Sequence, residues 1–224
     1  MILYDPTTRE EWLKCRMKGI GGSQAAAAIG MNKYQSNVDL WRIKTHRDKP
    51  PDLSNNHAVQ YGKQAEEHIR AMFSLDHPEY DIDYHEYRMY AKDDEQWLYA
   101  TLDGELTHRE TGERGILEIK TATIQNSSQW EEWTDRIPDS YYIQLLHQMW
   151  ATGWDFAILR AYIRYYNRDG ELNATVRDFR IDRKDVQEDM DMLIGKERRF
   201  WQCVLNDTQP PMILPMLTPK SITA

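Results

Sequence analysis

Leu102-Asp-Gly-Glu-Leu-Thr-His-Arg-Glu-Thr-Gly-Glu-Arg-Gly-Ile-Leu-Glu-Ile-Lys-Thr121 is the stretch on which the reading of this chain turns. It holds an acid at Asp103 and, fourteen intervening residues later, Glu118-Ile119-Lys120. Two carboxylates can hold a hard divalent cation, which prefers oxygen ligands. Such a cation lowers the pKa of a bound water and neutralises charge on a phosphate. A nearby lysine can steer that water or help to remove its proton. Gly115 to Thr121 alternates as a half-buried strand does, so Glu118 and Lys120 share one face. Asp103 ends a second β-like run, Gln96 to Leu102, and Gly104 permits a tight turn after it. Glu105 to Leu117 reads as a connection rich in turn formers and charge, and a hairpin of the two strands would bring Asp103 beside Glu118. Glu-x-Lys on a strand also describes an exposed charged face, and this segment alone leaves both readings open.

Bulk properties narrow the field. A chain of 224 residues is long enough for one domain with a sizeable core. Eight Trp and thirteen Tyr exclude a disordered composition. No apolar run reaches the roughly 18 residues of a membrane helix, and the opening Met-Ile-Leu-Tyr-Asp-Pro lacks the regions of a signal peptide. Cys15 and Cys203 are far apart, which fits reduced thiols and excludes a cysteine-ligated zinc or iron–sulfur site within the chain. The expected compartment is cytoplasmic. The net charge of −8 argues against nonspecific coating of nucleic acid. That charge is uneven: residues 1–50 carry nine Lys/Arg against five Asp/Glu, and residues 51–120 carry seven against sixteen. An acidic middle behind a basic N-terminal segment suits a local grip on phosphate, and it is also ordinary surface variation.

Read along the chain, Thr8-x-x-Glu11 is a capping box opening a helix to about Lys18. After Gly19-Ile-Gly-Gly22, Ser23 caps a short Ala-rich helix ending near Gly30. Ser36-x-x-Asp39 starts another helix, and a long one spans Asn56 to Leu75. Strands follow at about Ile82–Tyr90, Trp97–Leu102 and Ile116–Thr121, then helices near Ser127–Trp133 and Ser140–Thr152. Phe156–Tyr166 and Thr175–Ile181 read as strands joined through Asn167-Arg-Asp-Gly170. A last amphipathic helix covers about Arg183–Leu205. The expected fold is α/β, a central mixed β-sheet flanked by helices on both faces. It forms one domain over 1–224, with N-terminal helices at 7–76, a catalytic sheet and helices at 80–182, a C-terminal helix at 183–205 and an extended tail at 206–224.

This order and the acidic motif resemble the PD-(D/E)xK nuclease superfamily, with Leu102 in place of its proline. The chain is similar, more specifically, to the lambda exonuclease and YqaJ-type viral recombinase group. Four blocks in the family order carry the likeness. They are Trp12-Leu-Lys-Cys-Arg16 leading to Gly22-Ser23, Tyr61-Gly-Lys-Gln-Ala-Glu66, Leu102-Asp-Gly104 with Leu117-Glu-Ile-Lys120, and Tyr142-Ile-Gln-Leu-Leu-His-Gln-Met-Trp150. The resemblance implies a restriction-endonuclease-like core. It makes Glu66, Asp103, Glu118 and Lys120 catalytic, with Glu66, Asp103, Glu118 and the Ile119 carbonyl binding Mg2+, for which Mn2+ substitutes.

Glu66 without that context is a solvated helical acid like Glu67. Arg16 and Ser23 resemble the family's holders of a terminal phosphate, in keeping with arginine's forked hydrogen bonds. Arg16 also fits a surface helix charge, and Ser23 also fits a plain N-cap. Gln144 resembles a glutamine that supports the site or contacts DNA. Gln148, one turn on, stands where related nucleases often have Tyr, so no role is assigned to it. His147 reads as ordinary, and Leu146, Met149 and Trp150 as core. Trp130, Trp133, Tyr141 and Tyr142 have the chemistry to stack bases, and core or interface packing is the preferred reading.

The implied activity is a Mg2+-dependent 5′→3′ exonuclease that resects double-stranded DNA ends to 3′ single strands for recombination. Its implied partners are DNA ends, a homotrimeric ring of its own copies and a single-strand annealing protein. An endonuclease on the same core and a noncatalytic DNA-binding scaffold are the competing readings.

Overall fold

The structure, a computed structural model, describes residues 2–134 and 136–213. It opens with β1 (Ile2–Tyr4) and α1 (Arg9–Arg16). Thr8 and Glu11 cap α1 reciprocally: Glu11 N donates to Thr8 Oγ1 at 3.2 Å, and Thr8 N to Glu11 Oε2 at 3.3 Å. β2 (Ile20–Gly21) leads directly into α2 (Gly22–Ala28). The cap of α2 is Gly21, in extended backbone, and not Ser23 as the sequence suggested. Pairing of Ile20-Gly21 with a neighbouring strand brings the chain out of β-structure two residues early, which leaves Ser23 exposed in the first turn of the helix. Ser36 caps α3 (Asn37–Lys44) through Asp39, and Asn56 caps α4 (His57–Asp76) through the N–H groups of Ala58 and Val59.

Eight further elements follow α4. They are β3 (Tyr80–Asp83), β4 (Met89–Ala91), β5 (Leu98–Ala100), β6 (Gly104–His108), β7 (Arg114–Ile124), α5 (Ser127–Glu131), α6 (Asp139–Thr152) and β8 (Phe156–Tyr166). β9 (Leu172–Asp182), a 3-10 turn at Arg183–Asp185 and α7 (Gln187–Leu205) follow. The strands form two sheets, ordered β1-β4-β5-β2 and β3-β6-β7-β8-β9. In the larger sheet only β7 and β8 run parallel, and α5 and α6 make the crossover between them, as a parallel pair requires.

Two sequence expectations are corrected here. The single strand expected over 82–90 is two strands, β3 and β4, in different sheets, and Leu98–Ala100 belongs to the smaller sheet with β4. The connection expected from Glu105 to Leu117 contains β6 and the start of β7 instead. Leu106 and Thr107 suit a pleated surface, and the turn is compressed into residues 109–113. There Gly112 takes φ +72°, and its N–H donates to the His108 carbonyl at 2.8 Å.

Both faces of the larger sheet are covered. Leu106, Leu117, Ile119, Phe156 and Ile158 pack with Ile69 and Phe73 of α4. On the other face, Ile116, Ala157, Leu159, Ala161 and Ile163 pack with Leu145, Leu146 and Met149 of α6 and with Ile194 of α7. Each fully buried Leu or Ile contributes about 1.5–3 kcal/mol relative to exposure, so the strands carrying the acidic motif are clamped from both sides. The described part of the expected tail, 206–213, has no helix or strand and runs back over the N-terminal helices. Asn37 Nδ2 donates to the Pro211 carbonyl, and Ile213 N donates to Asn37 Oδ1. Residues 214–224 of that tail lie outside the described residues. Among the described residues no helix is long and apolar enough to cross a membrane.

Candidate active site

The β6–β7 ladder ends at the pair Gly104–Leu117. β7 continues for seven residues beyond it to Ile124, and at its first free N–H on that edge the Asp103 carboxylate takes over. Ile119 N donates to Asp103 Oδ2 at 2.8 Å. An antiparallel residue directs its N–H and its C=O to the same neighbour, so the Ile119 carbonyl faces this edge too. Asp103, the residue before β6, and Ile119 are thereby placed together by the point where the sheet stops pairing.

Glu118 sits beside them and is 2% exposed. Its Oε1 accepts from Lys120 Nζ at 2.6 Å and from Gln144 Nε2 at 2.6 Å. Its Oε2 accepts from Gln148 Nε2 at 2.7 Å. Gln144 and Gln148 lie one turn apart on α6 and grip one carboxylate. Gln148, which the sequence left without a role, is 1% exposed, and its Oε1 is buried with no partner. The i,i+4 spacing was the readable signal. The family pattern, with Tyr at that place, obscured it. Gly22, at the start of α2, lies against both glutamines: a Cβ there would stand 3.1 Å from Gln148 Cγ and 3.2 Å from Gln144 Cγ. Tyr141 places its ring 5.2 Å from Lys120 Nζ.

Glu66 approaches from α4. Burial raises its pKa and Glu118 raises it further, against the pull of Arg70. Arg70 Nη2 lies 3.3 Å from Glu66 Oε1. Gly62, one turn earlier, lets α4 come close to β7, and the contact is with the Thr121 hydroxyl, 3.2 Å from where a Cβ would be. The sequence had suggested a backbone approach there. Burial, then Glu118, then Glu66 push the Asp103 carboxyl well above the usual carboxylate range. Burial alone would lower the Lys120 ammonium, but Glu118 and Asp103 hold it above the ordinary lysine value. Lys120 is therefore a cationic donor here rather than a ready base.

Glu66 and Asp103, whose charge Glu118 opposes, supply with it the oxygen ligands that a hard divalent cation takes. Among the described residues no three His, Cys, Asp or Glu side chains converge on one metal position as they stand. Glu66 is turned to Arg70 and Glu118 to Lys120 and the glutamines, so binding a cation requires these side chains to re-aim. The donor set fits the metal in kind.

Arg16, at the end of α1, lies 4.5 Å over the Trp12 ring. Trp12 Nε1 donates to Thr101 Oγ1 at 3.3 Å, two residues before Asp103, which ties the Arg16 helix to the acidic edge. The Arg16 carbonyl accepts from Lys44 Nζ at 2.8 Å and from the Tyr99 hydroxyl at 3.2 Å. Lys44 is 4% exposed. Its burial, then the Arg16 charge, lower its pKa to about 7. An unfolded lysine keeps its proton to about 10.4. Above about pH 7 the unfolded chain thus binds more protons at this position, and stability rises with pH until the unfolded lysine also titrates. Urea denaturation at pH 7, 8 and 9 should show this as a stability difference between the parent and Lys44→Met that shifts in the parent's favour by about 1 kcal/mol per pH unit. A difference that stays constant across that range would refute the assignment.

The structure thus brings Asp103, Glu118, Ile119, Lys120 and Gln144 together, sets Glu66 beside them, and joins Arg16 to them through Trp12 and Thr101. Ser23 follows Gly22, at the glutamine end of the same cluster.

Comparison with known proteins follows this geometry. The family model described as YqaJ-like viral recombinase domain matches residues 11–155. A protein of Bacillus subtilis (strain 168), named uncharacterized protein YqaJ, is 28% identical over 222 residues, which cover 92% of this chain. The chain spans 59% of the length of that relative. The crystal structure of an alkaline exonuclease (LHK-Exo) from Laribacter hongkongensis matches with a TM-score of 0.64 at 20% identity, over 88% of this chain and 93% of that one. A phage related exonuclease from Haemophilus somnus 129PT matches with a TM-score of 0.55 at 10% identity, over 84% and 96%. At these identities the structural likeness is one of fold.

Proposed function

Because this chain belongs to the family of YqaJ-like viral recombinase domains and has the PD-(D/E)xK nuclease fold, we propose that it is a metal-dependent exonuclease that resects double-stranded DNA 5′→3′. The observation that carries this reading is the meeting of Asp103, Glu118 and Lys120 at the unpaired edge of β7. Mg2+, or Mn2+ in its place, when held by Glu66, Asp103, Glu118 and the Ile119 carbonyl, would supply Lewis acidity and an activated water. Lys120 donates a hydrogen bond to the attacking water or to the phosphate oxygen that gains charge. Gln144 and Gln148 fix the Glu118 carboxylate so that its direction does not depend on Lys120 alone. Arg16 and Ser23 hold the terminal phosphate, which favours entry from a DNA end. In this reading three copies close a ring around the duplex and keep the enzyme on its substrate between cuts. The 3′ single strand passes to an annealing protein.

The test is digestion with Mg2+ of linear 5′-phosphorylated duplex, labelled in turn at each end of one strand. Early release of the 5′ label with the 3′ label retained is the expected result, with closed circular duplex left intact. Cutting of the closed circle would establish an endonuclease instead, and no cleavage at all would leave a DNA-binding scaffold.

A further inference from the structure

We propose that Arg70 is a counter-ion that changes partner: it neutralises Glu66 in the arrangement seen here, and takes a phosphate of the DNA when Glu66 turns to serve as a ligand. The inference rests on the nuclease reading and deepens it, by naming a substrate contact that is covered in this structure. Arg70 is 9% exposed. Tyr84 covers one side of it, with the guanidinium carbon 3.6 Å from the ring centre. Glu66, one helical turn back on α4, covers another.

These two contacts are unequal. Arg70 Nη1 and Nη2 lie 3.4 and 3.3 Å from a single oxygen, Glu66 Oε1. Charge-assisted hydrogen bonds run at about 2.7–2.9 Å. Arg42 and Arg47 make such bonds as forks, one nitrogen to each oxygen of Asp48 and Asp207, with a shorter arm of 2.6 Å in each. Glu66 thus holds Arg70 loosely and without a fork, while the Tyr84 ring fixes the plane of the guanidinium. Glu66 can turn away without drawing Arg70 after it.

That turn creates a demand. Among the described residues Glu66 is the one acid paired with Arg70. A buried cation stripped of its partner is strongly disfavoured, so another anion must replace the carboxylate. Asp103 is engaged by the Ile119 N–H, and Glu118 by Lys120, Gln144 and Gln148. The phosphate of the substrate is the anion that arrives here. A guanidinium with one face covered keeps its N–H edge for it.

Direct contact ties Arg70 to the active site. It touches Glu66, and Glu66 is close enough to Glu118 and Lys120 for both to act on its charge. On the other side, Asp83 pairs with Glu105, so Tyr84 comes level with Gly104, the neighbour of Asp103. Burial, then Glu66, and to a lesser degree Asp103 push the Tyr84 hydroxyl up to about 12. The Arg70–Tyr84 stack therefore borders the Asp103 end of β6, where the ladder stops. Tyr84 is 42% exposed there, at the rim of the acidic edge.

The test is a double-mutant cycle on binding of 5′-phosphorylated duplex, followed by fluorescence anisotropy over a series of salt concentrations. Without divalent cation, Arg70→Gln should change the parent's affinity by no more than about twofold. In a Glu66→Gln background Arg70 is already released. The same substitution should there cost about tenfold, the weight of one charge-assisted contact, and lower the slope of log K against log[salt] by about 0.7–0.9. With Ca2+ the parent should show that same loss. Equal losses in the two backgrounds without cation, or no loss with Ca2+, overturn the exchange. Calorimetry with Mn2+ in the absence of DNA gives a second readout. Arg70→Gln should bind the ion at least as tightly as the parent, because a competitor for Glu66 is gone. A residue that only braced Glu66 would instead weaken the ion's binding by about 10–100-fold, and that result also overturns the exchange. The variant carrying both substitutions strands no charge, so its comparison with Glu66→Gln decides the matter even where Arg70→Gln alone unfolds. Digestion of the duplex by the parent with Mg2+ stands apart from this. Its failure refutes the nuclease reading itself, while digestion with equal Arg70 losses in both backgrounds refutes the exchange alone.

Discussion

An Asp103→Asn variant should keep its fold and lose DNA hydrolysis. Asparagine retains an oxygen to accept the Ile119 N–H, so the bond that extends the β7 edge survives. What disappears is the charge. Burial, Glu118 and Glu66 already oppose that charge in the folded chain, so its removal should leave the thermal midpoint equal to or above the parent's. Titration calorimetry with Mn2+ should show weakened or absent metal binding, and digestion of 5′-phosphorylated duplex with Mg2+ should stop. Lys120→Ala is the companion variant. Its ammonium is held by Glu118 at 2.6 Å, and its loss should slow hydrolysis by roughly 10²–10⁴-fold, the usual weight of one positioned proton-handling group. Metal affinity should change far less than the rate, because lysine is no ligand. Digestion by Lys120→Ala at the parent's rate would remove Lys120 from the mechanism. An Asp103→Asn protein that digests DNA normally would remove the metal site.

Local chemistry was readable in the sequence, and partner choice was not. The caps of α1 and α3 depend on side chains three residues apart, Thr8 with Glu11 and Ser36 with Asp39, and the structure forms both. The acidic motif was readable because alternation on one strand fixes which of its side chains share a face. The second sheet was not, because nothing local in Trp97 to Leu102 says that these residues pair with β4 and β2 rather than continue beside β7. β6 was hidden by its turn-forming flanks, although Leu106 is fully buried. Ser23 has the side chain of an N-cap, but the end of β2 decided where α2 begins. Gln148 shared the Gln144 face by spacing, yet only Glu118, thirty residues away, shows what that face holds.

His147→Ala should be among the most destabilising single substitutions in this protein, at a position whose sequence context marks nothing. His147 on α6 and Glu197 on α7 are both 0% exposed. Nδ1 lies 3.0 Å from each Glu197 oxygen, and Nε2 lies 3.0 Å from the Tyr99 carbonyl. Both ring nitrogens face acceptors, so both carry hydrogens, and the imidazole is cationic. Burial alone would lower its pKa, yet the Glu197 charge and hydrogen bond raise it above the ordinary histidine value. Truncation to Ala strands the Glu197 carboxylate in the core, which costs about 3–5 kcal/mol. Removing both charges is a different matter. His147→Leu with Glu197→Met replaces the pair by apolar bulk and should recover most of that loss.

The pH dependence gives the same pair an independent signature. A raised folded pKa means its stabilisation is complete below about pH 6.5 and is lost as pH rises through the folded value. That trend runs opposite to the one from Lys44, and the double variant should lack it. Urea denaturation of the parent, His147→Ala and the double variant at several pH values separates these effects. A His147→Ala protein within 1 kcal/mol of the parent would mean that the Glu197 carboxylate escapes burial when its partner is gone. Gln144 and Gln148 flank His147 on the same helix, so the double variant also asks whether the ion pair fixes α6 against β5. If it does, the double variant should regain stability while its glutamines hold Glu118 less firmly, and hydrolysis should fall in a protein as stable as the parent.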